Sequence, residues 1–138
     1  EFKKIYPDKL QIIIFEKETI AIINHKQKKN YLTRDGEEIE FFKNTILEKL
    51  PNIFGEQKNF LEIYSALIEL EFPISEIRSF YYFDIGRWDI ILKNDRIIKL
   101  PIENFKLSLL NYIELSKKIN YERFKIFDYR IKDQLILN

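Results

Sequence analysis

The apolar positions of this chain fall into short runs divided by charged turns. Leu10–Phe15 is a nearly continuous apolar run opened by Tyr6-Pro7-Asp8-Lys9, which predicts a strand with cover on both faces. A second run, Ile20–Ile23, follows Glu16-Lys17-Glu18 and also reads as a strand, and His25-Lys26-Gln27-Lys28-Lys29-Asn30 then reads as a polar, basic loop. Tyr31-Leu32-Thr33 and Glu38–Phe42 flank Arg34-Asp35-Gly36-Glu37. Asp-Gly between two apolar runs favours a positive-φ turn, so this stretch predicts a hairpin. Leu50-Pro51-Asn52-Ile53-Phe54-Gly55, punctuated by Pro and Gly, predicts a loop.

From Gln57 to Glu71 the period changes. Phe60, Tyr64, Leu67 and Ile68 recur at helical spacing as one apolar stripe, and Pro73 ends the pattern. Glu76–Phe83 reads as a strand, Asp84-Ile85-Gly86 as a turn, and Arg87–Lys93 with Arg96–Leu100 as a hairpin about Asn94-Asp95. In the first of these hairpin strands, Trp88, Ile90 and Leu92 alternate with Arg87, Asp89 and Ile91, so the lone Trp is expected to pack against one of the helices. A second helix is expected from Pro101 to about Ile119, with Phe105, Leu109, Tyr112 and Ile113 as its buried stripe. Glu122–Arg130 and Asp133–Leu137 close the chain as two strands.

Groups of strands joined by tight turns and separated by two helices predict an α+β fold with a largely antiparallel or mixed sheet. Residues 1–22 look detached, carrying a strand without a helix to cover it.

Composition narrows the chemistry. The 138 residues suffice for one domain, or one domain and a piece of another. Without Cys there is no thiol nucleophile, disulfide or thiolate-bound metal, and three widely spaced glycines leave no phosphate-cradling loop. Lys+Arg is 23 against 22 Asp+Glu, which gives no electrostatic footprint for nucleic acid. No apolar run is long enough to span a bilayer. There are 25 Ile and no Val, although both are good β formers, which points to an AT-rich genome rather than a structural demand.

Catalytic constellations are thin. His25 lies in the basic loop, and none of the five serines stands in a nucleophile elbow, so His25 reads as a solvated loop residue. A small carboxylate-metal nuclease would have Asp8, Glu16, Asp84 and Asp89 to work with, but Glu18 stands where its Glu-x-Lys motif needs Lys. Lys26, Lys28 and Lys29 offer a contact for anionic lipid or glycan, though such a run ordinarily only keeps an edge soluble. The aromatics follow helix and strand periods, which favours core packing over base stacking.

The motifs, taken in order, resemble the bacterial cell-division family FtsQ/DivIB. The resemblance begins at Lys3-Lys4-Ile5-Tyr6-Pro7-Asp8-Lys9-Leu10-Gln11-Ile12 and continues through Glu16-Lys17 and Ile20-Ala21, with Thr19 where Pro is usual. It runs on through Tyr31-Leu32-Thr33-Arg34-Asp35-Gly36, Leu50-Pro51-Asn52-Ile53-Phe54-Gly55, Arg87-Trp88-Asp89-Ile90-Ile91-Leu92-Lys93-Asn94, Leu100-Pro101 and Asp128-Tyr129-Arg130. Each motif alone is weak; their order and spacing are specific.

The resemblance implies a bitopic inner-membrane protein. A transmembrane helix would precede this sequence, followed outside the membrane by a polypeptide-transport-associated (POTRA) domain and a β domain. Residues 1–22 would then be the end of the POTRA domain and 23–138 the β domain, in the periplasm at the division septum. The implied function is that of a non-catalytic scaffold without cofactor or metal, docking FtsB and FtsL alongside other division proteins and helping to control septal peptidoglycan synthesis. The implied partner-binding residues are Ile131, Gln134, Leu135, Ile136 and Leu137, with Gln134 where Arg is common. Arg87, Trp88, Asp128 and Arg130 would support that edge. Apolar on both faces, Leu135-Ile136-Leu137 suits a central strand as well as an unprotected terminal edge. If the Ile136 N–H points outward, proline there would block an added strand.

Overall fold

The computed structural model describes residues 18–56, 58–118 and 120–138; the strand expected at Leu10–Phe15 lies outside them, as do Asp8 and Glu16. Nine strands form one sheet among the described residues. They are β1 (Thr19–His25), β2 (Lys28–Thr33), β3 (Glu38–Glu40), β4 (Asn52–Phe54), β5 (Ile77–Phe83), β6 (Arg87–Leu92), β7 (Ile97–Lys99), β8 (Ile126–Asp128) and β9 (Ile136–Leu137). Their order across the sheet is β3-β2-β1-β4-β5-β6-β7-β8-β9. The pairs β1–β4, β4–β5 and β7–β8 are parallel and the other five antiparallel, so the sheet is mixed.

Two helices, α1 (Phe60–Glu69) and α2 (Phe105–Ser116), cover one face. Phe60, Ile63, Tyr64 and Leu67 from α1 join Leu109 and Tyr112 from α2 in one core with Ile53, Ile77, Phe80, Trp88, Ile90, Leu92, Ile98 and Phe127. The Trp88 ring lies 5.7 Å from Phe60 and 4.9 Å from Tyr82, so the Trp packs against α1 as its alternation predicts. The stripe assignment errs at Ile68, which is 41% exposed, while Ile63 and Ala66 turn inward. α1 closes with a paired C-terminal motif: the Phe72 N–H donates to Leu67 O and the Glu71 N–H to Ile68 O, with Glu71 at φ 59°. The helix therefore ends before Pro73.

Among the described residues the opposite face is covered only beneath β1–β3. There Ile22, Tyr31 and Ile39 pack with Phe41, Phe42, Leu47 and Leu50 from the segment after β3. Beyond β1 no helix among the described residues covers that face. Register aligns Phe54, Tyr81, Asp89, Lys99, Asp128 and Ile136 in one row across β4–β9.

Other readings of the sequence change too. The strands expected at Glu122–Arg130 and Asp133–Leu137 shorten to Ile126–Asp128 and Ile136–Leu137, with a 3-10 turn at Tyr121–Arg123. Leu50–Gly55 is not simply a loop: Asn52–Phe54 is a strand inside the sheet, with Pro51 and Gly55 bounding rather than interrupting it. Gly55 sits at φ 92°, and a Cβ there would lie 2.9 Å from the Tyr82 carbonyl, so the sheet requires glycine at this crossing. The basic loop at His25–Asn30 shrinks to a two-residue turn, Lys26-Gln27, with both residues at positive φ and Lys28–Asn30 in β2. Nor is the chain detached as far as residue 22. Ile20 and Ala21 are buried in the helix-side core, and β1 runs unbroken to His25, because Ile22 and Ile23 pair with β2 on one side and β4 on the other. No helix among the described residues is long and apolar enough to cross a membrane.

Candidate functional site

A strand at the end of a sheet has a neighbour on one side only, and β9 is such a strand. Its hydrogen-bond phase can be read from its ends. The Asn138 N–H donates to Ile126 O, and the Ile126 N–H donates to Asn138 O, both at 3.1 Å. The Tyr129 N–H donates to Lys99 O at 2.9 Å, so odd-numbered residues of β8 bond to β7 and even-numbered ones to β9. Asp128 pairs with Ile136 and Phe127 with Leu137. In an antiparallel pair these positions alternate. The Ile136 N–H and C=O thus face β8, while those of Leu137 face away from the sheet. The sequence-based proline test at Ile136 therefore does not meet its condition; the outward donor is at Leu137.

Side chains alternate the other way. Leu135 and Leu137 are half-buried against the helix-side core, while Ile136 is 39% exposed on the bare face. No charge, proline or bulge interrupts the three residues. Among the described residues the edge is thus apolar, with outward main-chain groups that no described strand pairs, which is the arrangement that accepts a further strand.

Hydrogen-bonded and ion-paired side chains lie beside this edge. β8 ends at Asp128, and the chain then turns through Ile131–Gln134, where the Gln134 N–H donates to Ile131 O at 3.1 Å. The Asp128 carboxylate accepts from the Arg130 backbone N–H at 3.0 Å and from the guanidinium at 2.9 and 2.6 Å. These hydrogen bonds hold the Asp128 carboxyl below the usual carboxylate value, against the burial that raises it. Two strands in along the same row, Asp89 is ion-paired with Arg87, both side chains nearly buried, and the Arg87 guanidinium lies 4.3 Å over the Phe83 ring. Burial pushes the Asp89 carboxyl up despite Arg87 beside it. Register sets Lys99 between Asp89 and Asp128, which gives a ladder of alternating charge leading to Ile136.

The structure brings Asp128, Arg130, Ile131, Gln134, Leu135, Ile136 and Leu137 together at one end of the sheet, with Arg87 across the adjoining groove. Trp88 lies in the core on the opposite face of β6 from Arg87. Sequence reading missed the groove itself. It has a volume of about 850 Å³ and is walled by the β5–β6 turn, the start of α2 and residues 129–135. Tyr129 borders it, donating its hydroxyl to Asn111 Oδ1 at 2.7 Å, and burial raises its phenol well above the ordinary value. The available signal was Ile85, Ile102 and Ile131, large apolar residues in or beside turns that needed none, and Leu107 exposed in the first turn of α2.

The other chemical candidates stay apart. His25 ends β1 at the hairpin tip with Lys26 and Lys28 beside it. Asp84 lies in the β5–β6 turn, and Asp89 is engaged by Arg87. Among the described residues no group of three or more His, Asp or Glu is placed to hold a metal ion.

Comparison with known proteins gives a consistent match. Residues 21–130 match the family model described as cell division protein FtsQ/DivIB, C-terminal. The chain is similar to the cell division protein FtsQ of Bartonella bacilliformis, 26% identical over 145 residues that cover 100% of this chain and 46% of that protein. A second FtsQ, from Rhizobium radiobacter, is 22% identical over 138 residues, covering 97% of this chain and 66% of its own length. Against the curated relative named first, the chain spans about half the length. Among solved structures it resembles the major extracytoplasmic domain of the trans isomer of the bacterial cell-division protein DivIB from Geobacillus stearothermophilus. That match has a TM-score of 0.50 and 16% identity over 72% of this chain and 91% of the other, a likeness of fold.

Proposed function

We propose a docking function from one premise: the chain belongs to the FtsQ/DivIB C-terminal family of cell-division proteins. On this reading it is a non-catalytic scaffold of the division machinery, and its working surface is the free edge of β9. A segment of an FtsB-type partner, presented together with FtsL, adds a strand to that edge, and this docking helps to control septal peptidoglycan synthesis. The observation that carries the reading is the outward main chain of Leu137 on an apolar, unblunted edge. Main-chain hydrogen bonds supply affinity, and alternate side chains supply selectivity. Leu135 and Leu137 select on the helix side, and Ile136 on the bare side. Arg87, Asp128 and Arg130 hold the edge, and Trp88 holds the core behind it.

The same proposal places the domain outside the inner membrane, in the periplasm, anchored by a transmembrane helix outside this sequence. It assigns the start of the chain to the end of a POTRA domain, with β1 as the link into the β domain. The test is titration of the folded chain with the extracytoplasmic segment of the FtsB-type protein from the same genome, with circular dichroism as the folding control. Saturable binding to wild type, weakened by about tenfold or more in folded Leu137→Pro and Leu135→Lys variants, is expected. Wild-type affinity in both variants would refute docking at β9.

A further inference from the structure

We propose that Arg96, in the turn between β6 and β7, is a positioning residue for strand addition: it ties β8, and through β8 the edge strand β9, to the rest of the sheet. The part that concerns binding rests on the edge-docking reading; the part that concerns the sheet stands without it. The last three strands are short, Ile97–Lys99, Ile126–Asp128 and Ile136–Leu137. Strands of this length at the end of a sheet share few main-chain bonds and open locally unless something else ties them down. Beyond the Asp128 end of β8, the Tyr129 N–H donates to Lys99 O at 2.9 Å. Ahead of the Ile126 end, the tie is the Arg96 side chain.

Arg96 is only 6% exposed. Its Nε donates to Phe124 O at 3.1 Å and its Nη2 to Glu122 O at 3.2 Å, and its guanidinium lies 4.5 Å over the Tyr121 ring. Among the described residues no backbone N–H is bonded to either carbonyl, so Arg96 satisfies two acceptors that the turn ahead of β8 leaves open. Tyr121 in turn packs edge-on to Tyr112 of α2 and against Phe127 of β8. The Ile97 N–H, next along the chain, donates to Lys125 O at 2.8 Å. The Lys125 and Ile126 N–H groups both donate to Asn138 O, at 2.7 and 3.1 Å, and the Asn138 N–H returns to Ile126 O. Arg96 thus fixes the residues that carry the end of β9. No carboxylate is ion-paired with it among the described residues, although a buried cation ordinarily has one. Its contribution is a planar fork that spans two carbonyls and a flat face that stacks, both of which lysine lacks.

The experiment compares the wild-type chain with Arg96→Lys and Tyr121→Leu by amide hydrogen exchange and by titration with the FtsB-type extracytoplasmic segment, with circular dichroism as the folding check. In Arg96→Lys the Lys125, Ile126 and Asn138 amides are expected to exchange about tenfold faster than in wild type. The Ile22 amide, bonded to Pro51 O, and the Phe72 amide, bonded to Leu67 O, are expected to stay within about twofold. Tyr121→Leu removes the ring under the guanidinium and leaves its two hydrogen bonds, so it is expected to speed the same three amides by a smaller factor, about threefold. Affinity for the segment is expected to fall by about tenfold in Arg96→Lys, although Arg96 itself has little surface to offer a partner. Unchanged exchange at the three amides in Arg96→Lys overturns the proposal. So does faster exchange at all five alike, or loss of the whole fold in both variants, since Arg96 is then a residue of general stability. Selective opening with wild-type affinity overturns the positioning role and leaves edge docking standing. A wild-type chain that fails to bind the segment overturns edge docking itself, and the exchange pattern still decides whether Arg96 holds β8 and β9.

Discussion

β3 and β9 end the same sheet in opposite ways. β3 is Glu38-Ile39-Glu40, with two of three residues charged, and Phe41 and Phe42 leave it at once to pack beneath β1 and β2. β9 is Ile136-Leu137 preceded by Leu135, with no charge and, among the described residues, no covering segment. Exposed edges invite unwanted pairing, and charge, shortness and cover are the usual defences. The chain applies all three at β3 and at β9 keeps only shortness. The second face differs in step: under β1–β3 it is covered, while toward β9 no described segment covers it and it carries Asp89, Lys99 and Asp128. The contrast supports reading β9 as a surface kept open for a partner, since the same sheet shows how an edge is closed.

The largest effect expected is on the core that both edges share. Trp88→Ala should destabilise by about 3–5 kcal/mol, read by chemical denaturation. It should weaken β3 and β9 together, since Trp88 sits on β6 between them. Trp88→Phe should be milder, because it also deletes an indole N–H that finds no acceptor among the described residues. A melt unchanged by Trp88→Ala would break the premise that one core carries both ends.

Next come changes that separate the edges. Leu137→Pro should leave the ladder to β8 intact and reduce partner affinity by about thirtyfold, roughly 2 kcal/mol, by removing an outward donor and filling its place with the ring. Ile136→Pro should instead loosen β9 from β8 and lower both stability and binding. Titration and melting of the two variants together check the hydrogen-bond phase. Leu135→Lys, which gives β9 the kind of defence β3 has, should weaken binding by about tenfold, roughly 1.4 kcal/mol, with the melt little changed.

Acid should act on the β9 side through two carboxylates of opposite sign. Asp128 is held below its usual value of about 3.9, so its contribution is present above that pH and is lost as pH falls through the folded value. Asp89 is raised, so its ionised form opposes folding, and that penalty is relieved as pH falls through its raised value. Asp128→Asn should lower stability at neutral pH by about 1 kcal/mol, discounted because Arg130 is half exposed. It should also flatten the loss below about pH 4, measured as melting temperature against pH. The smallest effect belongs to β3: Glu40→Val should change stability by less than about 0.5 kcal/mol and raise self-association in sedimentation. Unchanged self-association would mean that cover alone, without charge, closes that edge.

How much of this was legible in the sequence depended on what each residue had to signal. Both helices, the face of Trp88 and the β5–β6–β7 hairpins were readable because their periods run for several residues. β4 was not, because three residues between Pro51 and Gly55 cannot display a period and their pairing is parallel and long-range. The Lys26-Gln27 turn was hidden because two side-chain-bearing residues adopt the positive φ ordinarily signalled by Asn-Gly. At the candidate site, the apolar character of Leu135–Leu137 was visible. Its place at the end of the sheet and the direction of each N–H were not, since both depend on the register with β8. The groove was invisible for the same reason: Ile85, Ile102, Leu107 and Ile131 meet only through the fold.

Amide hydrogen exchange of the free chain and of the chain with the FtsB-type extracytoplasmic segment tests strand addition at β9 most directly. In the free chain the Ile136 amide, bonded to β8, should be protected and the Leu137 amide should exchange freely. With the partner present, Leu137 should slow by at least tenfold, while the outward Glu40 amide of β3 stays unchanged. A Leu137 amide that remains fast at saturating partner would contradict the account.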